Sequence, residues 1–243
     1  MKVHILKSEA AVALAVATRV TRLLATRPAA VLGLPTGNTP IRLYAELRRR
    51  HRLGQIDFSK ASTFNLDEFW GLPWAHPASY RAFMDEHLFQ HVNLSPRRIH
   101  FLNGMANSAD VECARYETAI QRAGGLDLLI LGIGTNGHIG FNEPAPSLTA
   151  DTHLARLAPA TRRSNAYLFN GRQSAVPPEA LSMGVGTILR SRAVILIATG
   201  ASKVDAVRAA VHGQVTPRMP ASLLQLHRDV ELVLDYAAAA GLH

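Results

Sequence analysis

The sequence is poor in cysteine, in lysine and in long apolar runs. Its single cysteine, Cys113, has no partner in the chain, which excludes a disulfide-held scaffold. No uninterrupted apolar run approaches the ~18–20 residues that a membrane-spanning helix needs. The opening MKVHILKSEA lacks an apolar core followed by a small-residue cleavage site, so no secretory signal is expected. Together these absences predict a cytoplasmic protein with no membrane partner.

Lysine stands only at Lys2, Lys7, Lys60 and Lys203, so 22 of the 26 basic residues are arginine. Against 18 acidic residues the formal net charge is +8, which raises the question of nucleic acid. The densest cluster, Arg48-Arg49-Arg50-His51-Arg52, ends a helix-like segment, where cations complement the helix dipole. It has no interleaved aromatics on which bases could stack. Arginine and alanine are both heavily used, so the excess reads as compositional bias on a solvated surface, and no nucleic-acid partner is expected.

What is present is a regular alternation. Apolar runs at Val3–Leu6, Ala30–Leu34, Ala61–Leu66, Leu126–Leu131, Ala193–Ala198 and Val230–Leu234 predict strands. Helical patterns lie between them: from Ser8 to about Thr26, around Leu43 and Leu47, and over Ser79–Val92, Ser108–Ala123 and about Ser202–Val211. Alternating strands and helices predict an α/β fold with a mostly parallel sheet flanked by helices, in a single domain over 1–243. The least patterned stretch, Pro144–Pro178, reads either as a lid over a site or as a segment hiding a helix.

Four segments follow strand candidates, where α/β folds collect their sites. Pro35-Thr36-Gly37-Asn38-Thr39-Pro40 offers small residues and free N–H groups to an anion, though an ordinary capping turn has the same pattern. Phe64-Asn65-Leu66-Asp67-Glu68-Phe69 places two adjacent carboxylates at a strand end. Apolar neighbours and a like charge would raise a pKa there toward that of a general base; a helix-capping acid with a solvated neighbour is the alternative.

The third segment, Leu131–Pro144, contains a literal G-x-G-x-x-G from Gly132 to Gly137. A dinucleotide site needs strand, turn and then helix, and Gly140, Asn142 and Pro144 break the helix. What remains is a glycine-rich loop carrying Asn136, His138 and Glu143, in which a carboxylate can orient an imidazole for proton transfer. No further ligand follows at metal-binding spacing, so no metal is expected. In the fourth segment, Thr199-Gly200-Ala201-Ser202-Lys203, a lone lysine in an arginine-rich chain starts a helix and suits an anion contact.

Taken together, these segments resemble the glucosamine-6-phosphate deaminase (isomerase) family. The likeness is carried by LGLPTGNTP at 32–40, TFNLDEFWGLP at 63–73, HPASY at 76–80, LGIGTNGHIGFNEP at 131–144, MGVGTIL at 183–189, TGASK at 199–203 and SLLQLH at 222–227. The resemblance implies a Rossmann-like fold with a lid at about 144–178 and no cofactor. It implies conversion of D-glucosamine 6-phosphate and water to D-fructose 6-phosphate and ammonia, in amino-sugar catabolism. By motif match Asp67 would move the C2 proton, His138 would assist ring opening with Glu143 as its partner, and Asn136 would stand beside them. Thr36, Gly37, Asn38, Thr39 and Lys203 would hold the phosphate.

Two departures stand out. Many members of that family clasp the phosphate with a lid arginine after an Asn-(small) pair; here Tyr167 follows Asn165-Ala166, and Arg162, Arg163 and Arg172 are out of register. Allosteric members carry basic residues where this chain has His153 and Ala155, so activation by an N-acetylated sugar phosphate is not expected. Galactosamine 6-phosphate as substrate, a 6-phosphogluconolactonase and a sugar-phosphate-sensing regulator are the competing readings. The oligomeric state is left open.

Overall fold

A computed structural model describes residues 1–242. The chain runs β1 (Lys2–Leu6), α1 (Glu9–Thr26), β2 (Val31–Leu34), α2 (Ile41–Arg52), β3 (Ser62–Asn65) and β4 (Asp67–Phe69). It continues through α3 (Tyr80–His87), β5 (Ile99–His100), α4 (Ala109–Arg122), β6 (Leu128–Leu131), β7 (His153–Arg156) and α5 (Pro159–Asn165). It closes with β8 (Glu179–Ser182), α6 (Val185–Leu189), β9 (Val194–Ala198), α7 (Val204–His212), β10 (Val230–Asp235) and α8 (Tyr236–Ala239).

Seven strands form one parallel sheet in the order β1-β10-β9-β6-β2-β3-β5. Helices cover both faces, so the central strands are apolar throughout rather than alternating. The pleat then sends successive residues to opposite sides. Leu128 and Ile130 of β6 enter one core cluster with Val16, Leu43 and Tyr44, while Leu129 and Leu131 enter the other with Tyr116, Ile120 and Val207. The helices sit where their caps and apolar faces dictate. Ser8, Ser79 and Ser108 accept backbone N–H bonds at the starts of α1, α3 and α4. The arginine cluster at the end of α2 is part of this packing: Arg50 bonds Glu46 on its own helix and Thr18 and Thr21 on α1.

Strand order places the site. From β2 the chain steps outward through β3 to β5, then returns to lay β6 on the other side of β2. At such a reversal the connections leave in opposite directions and open a crevice at the carboxyl ends of the strands.

Of the two readings of the 144–178 stretch, the hidden helix is present: the stretch holds β7, α5 and two short 3₁₀ turns. β7 reads poorly because Leu154 faces outward and only Ala155 is buried. Two expectations need correcting. The helix expected over 79–92 ends at His87, and after Leu88 the chain passes into a short 3₁₀ turn over Phe89–His91. Finally, Asp67 does not close β3. The chain turns at Leu66, and Asp67 opens β4, which pairs antiparallel with β8 in a separate sheet ordered β4-β8-β7.

Candidate active site

The crevice between β2 and β6 is a cavity of about 510 Å³. Its walls come from the ends of β2, β3, β6 and β9 and from α5. Thr36, Gly37, Asn38, Thr39, Asp67, Asn136, His138 and Lys203 all line it, so the tertiary fold brings together residues up to 167 positions apart. Glu143 does not face the cavity; it lies behind His138.

Asp67 is buried, and no hydrogen bond among the described residues ends on its carboxyl. Phe69, Tyr80 and Phe141 form an aromatic group beside it, Tyr80 stacked on Phe141 and Phe69 tilted against both. Desolvation pushes its pKa up to about 8, and the neighbouring Glu68 charge adds to the rise. Glu68 points to the other side of β4. It accepts from the backbone N–H groups of Phe69, Tyr80 and Arg81, each at 2.9 Å, and so caps the start of α3. Burial raises its pKa to about 7 against those bonds. The two readings of this carboxylate pair therefore divide between its members: one faces the cavity, the other caps a helix. The capping member is buried, not solvated, because the strand pleat turns it into the core.

The glycine-rich loop after β6 does not enter a helix, as the sequence pattern predicts. It doubles back through turns and a bridge between Ile139 and Asn142. Its glycines seat the histidine: a Cβ on Gly134 would lie 2.3 Å from the His138 ring. The returning strand is pinned to β8. Ser182 Oγ accepts from the Phe141 N–H at 2.9 Å, and Asn142 Nδ2 donates to Ile139 and Met183 carbonyls at 2.8 and 2.9 Å.

His138 Nδ1 lies 3.6 Å from Glu143 Oε2, an ionic contact longer than a hydrogen bond. With Nδ1 turned to Glu143, Nε2 is the nitrogen left for a ligand. Asn136 Nδ2 donates to Glu143 Oε2 at 2.8 Å, and the Thr161 hydroxyl donates to Oε1. Burial alone would raise the Glu143 pKa, but His138, Thr161 and Asn136 together lower it to about 2, so it is a fixed negative charge.

Lys203 Nζ donates to the Ile133 carbonyl at 2.7 Å, and burial lowers its pKa. Its turn is anchored by Asp235, whose two oxygens accept from the Gly200 N–H at 3.1 Å each. The Thr36–Thr39 loop is anchored by Tyr44, whose hydroxyl donates to the Pro35 carbonyl, and by Asn65 Nδ2 on the Leu34 carbonyl at 3.1 Å.

Sequence reasoning did not single out Tyr80, Thr161, Asn165 or Arg42, all of which line the cavity. Tyr80 donates to Asn165 Oδ1 at 2.9 Å, and Thr161 reaches Glu143, so α5 is tied to both walls. The one available signal was the HPASY motif, which contains Tyr80. The α5 residues sit in a stretch without periodicity.

Residues 7–233 match the family model described as glucosamine-6-phosphate isomerases/6-phosphogluconolactonase. The chain belongs to that family. Within the isomerase/6-phosphogluconolactonase family it is 48% identical to a glucosamine-6-phosphate deaminase of Clostridium botulinum over 217 residues, 89% of this chain and 88% of that one. It is 49% identical over 228 residues to glucosamine-6-phosphate deaminase 2 of Giardia intestinalis, covering 94% of this chain and 87% of that one. Among solved structures, a monomeric glucosamine-6-phosphate deaminase described as a missing link of the NagB superfamily superposes with a TM-score of 0.96. It is 39% identical and covers 99% of this chain and 100% of that one. A 6-phosphogluconolactonase from Trypanosoma cruzi shares the fold at a TM-score of 0.80 and 18% identity, over 99% of this chain and 96% of that one. Among the described residues, no helix is long and apolar enough to cross a membrane, and no group of three or more His, Cys, Asp or Glu is placed to hold a metal.

Proposed function

We propose that the chain converts D-glucosamine 6-phosphate and water to D-fructose 6-phosphate and ammonia, in the cytoplasm, within amino-sugar catabolism. One observation carries this reading: Asp67, buried and free of hydrogen bonds, opens on the same cavity as His138 at one side and Lys203 with the Thr36–Thr39 loop at another. The deaminase names of relatives near 48% identity support it.

The chemistry follows from the placement. Opening the pyranose transfers a proton to the ring oxygen as the bond from C1 to it breaks, and the C1 hydroxyl loses its proton to become a carbonyl. His138 is the group that exchanges this proton, with the Glu143 charge stabilising the imidazolium form. Asp67 then takes the C2 proton, giving a C1–C2 enolamine. Reprotonation at C1 leaves an imine at C2, which water hydrolyses to the ketone and ammonia. A carboxyl whose pKa lies near the working pH can both take and return a proton. The phosphate sits remote from the reacting carbons, held by Lys203 and the N–H groups and hydroxyls of Thr36, Gly37, Asn38 and Thr39, and its binding energy positions C1 and C2. Asn136 holds Glu143 in place. The 144–178 segment acts as a lid through Thr161 and Asn165 of α5, and the whole chain works as one domain.

The test is ammonia release with glucosamine 6-phosphate, galactosamine 6-phosphate and unphosphorylated glucosamine. Release from the first, with little from the others, is the expected result. Preference for the galactosamine epimer would move the substrate assignment, and absence of release from all three would overturn it. A lactonase would instead hydrolyse 6-phosphogluconolactone without using Asp67.

A further inference from the structure

We propose that Arg42 is the second cation for the substrate's phosphate, exchanged from Glu9 at the mouth of the cavity. The proposal rests on the reading that the cavity takes a phosphorylated sugar. A phosphate monoester carries about −1.5 to −2 charges at neutral pH and calls for more than one positive partner. Among the described residues, Lys203 and Arg42 are the two Lys or Arg side chains in the cavity wall. Lys203 is one compact charge, already bonded to the Ile133 carbonyl.

The 144–178 segment supplies no other. Arg162 donates from Nε and a terminal nitrogen to the Val176 carbonyl at 3.1 and 2.8 Å and from the same terminal nitrogen to Gln173, so it braces the segment from within. Arg156, Arg163 and Arg172 are exposed and outside the cavity wall. Tyr167, which does line the cavity, brings a hydroxyl and no charge.

Arg42 is placed for the task. It is the second residue of α2, directly after the loop Thr36–Pro40, so its side chain and the free N–H groups of that helix start serve the same end of the cavity. Its guanidinium makes one contact among the described residues, Nε to Glu9 Oε2 at 3.1 Å. Both partners are largely exposed, with side chains 63% and 49% accessible, so the pair is weak and its exchange costs little. Both terminal nitrogens are left free, the fork that pairs with a phosphate in two parallel bonds. Glu9, itself in the wall, competes with an arriving dianion for Arg42.

The experiment measures inorganic phosphate binding by calorimetry, alongside steady-state ammonia release, for the unaltered chain and for Arg42→Ala, Arg42→Lys, Glu9→Gln and Lys203→Ala. Arg42→Ala is expected to raise both the phosphate Kd and the KM for the amino-sugar phosphate about ten- to hundredfold, with kcat changed less than about threefold. Arg42→Lys should recover part of that loss, and Glu9→Gln should tighten phosphate about two- to fivefold. Adding Tyr167→Arg to Arg42→Ala should restore affinity. Unchanged phosphate binding in Arg42→Ala, a loss appearing instead in Arg163→Ala or Arg172→Ala, or no phosphate binding by the unaltered chain would overturn the assignment. Weakened phosphate binding in Arg42→Ala with no ammonia release from any amino-sugar phosphate would support Arg42 and refute the deaminase reading instead.

Discussion

Asp67→Asn should make the protein more stable and inactive, and the gain should depend on pH. The carboxyl ordinarily has a pKa of 3.8, and in the fold burial lifts it to about 8. Between these values the folded state keeps a proton that the unfolded chain has lost, so this group lowers stability as pH rises from about 4 to about 8. Below pH 4 it contributes nothing; above pH 8 the full penalty is present. A shift of about four pH units at about 1.4 kcal/mol each amounts to on the order of 5 kcal/mol. Asparagine has nearly the same shape and no charge to desolvate, and no hydrogen bond to Asp67 is lost on replacement. Urea unfolding of both forms at pH 5, 7 and 9 measures the difference directly. The variant should exceed the original by only about 1.5 kcal/mol at pH 5 and by several kcal/mol at pH 9, while exchange of the C2 proton with solvent deuterium stops. A stability difference that is flat with pH would refute the claim that the cavity holds a desolvated, unpaired carboxyl. Retained C2 exchange would refute its role as the base.

Other outcomes follow from the same geometry. Glu68→Gln removes the second contribution to the raised Asp67 pKa, so the rise of kcat/KM with pH should shift to lower pH. The same change leaves the backbone N–H of Arg81 or of Phe69 and Tyr80 short of an acceptor, and urea unfolding should show a loss of about 1–3 kcal/mol. Glu143→Gln takes away the fixed charge beside His138; turnover of the cyclic sugar should fall about ten- to hundredfold, an open-chain analogue should be spared, and equal losses on both would remove the pair from ring opening.

The parallel core was legible because its signal is local. Leu126–Leu131, Ala193–Ala198 and Val230–Leu234 are continuous apolar runs, as strands covered on both faces must be, and serine caps mark α1, α3 and α4. The small sheet was not legible. β4 and β7 are three and four residues long, and their partners are fixed by β8, more than twenty residues downstream of β7 and more than a hundred beyond β4. For the same reason the divided fate of Asp67 and Glu68 could not be read from their adjacency.

By itself, the sequence determined the α/β alternation, the loops after β2, β6 and β9 that carry Thr36, His138 and Lys203, and the absence of a helix after the G-x-G-x-x-G. It also showed that Tyr167 brings no cation. The tertiary structure alone decided that Asp67 lies unpaired in a common cavity, that Glu143 stands behind His138, and that Arg42 reaches the wall while Arg162 does not. Periodicity reports which way a side chain faces within its own element. Burial, charge pairing and a shared cavity depend on contacts across spans that run up to 167 residues, which only the packed chain brings within a few ångströms.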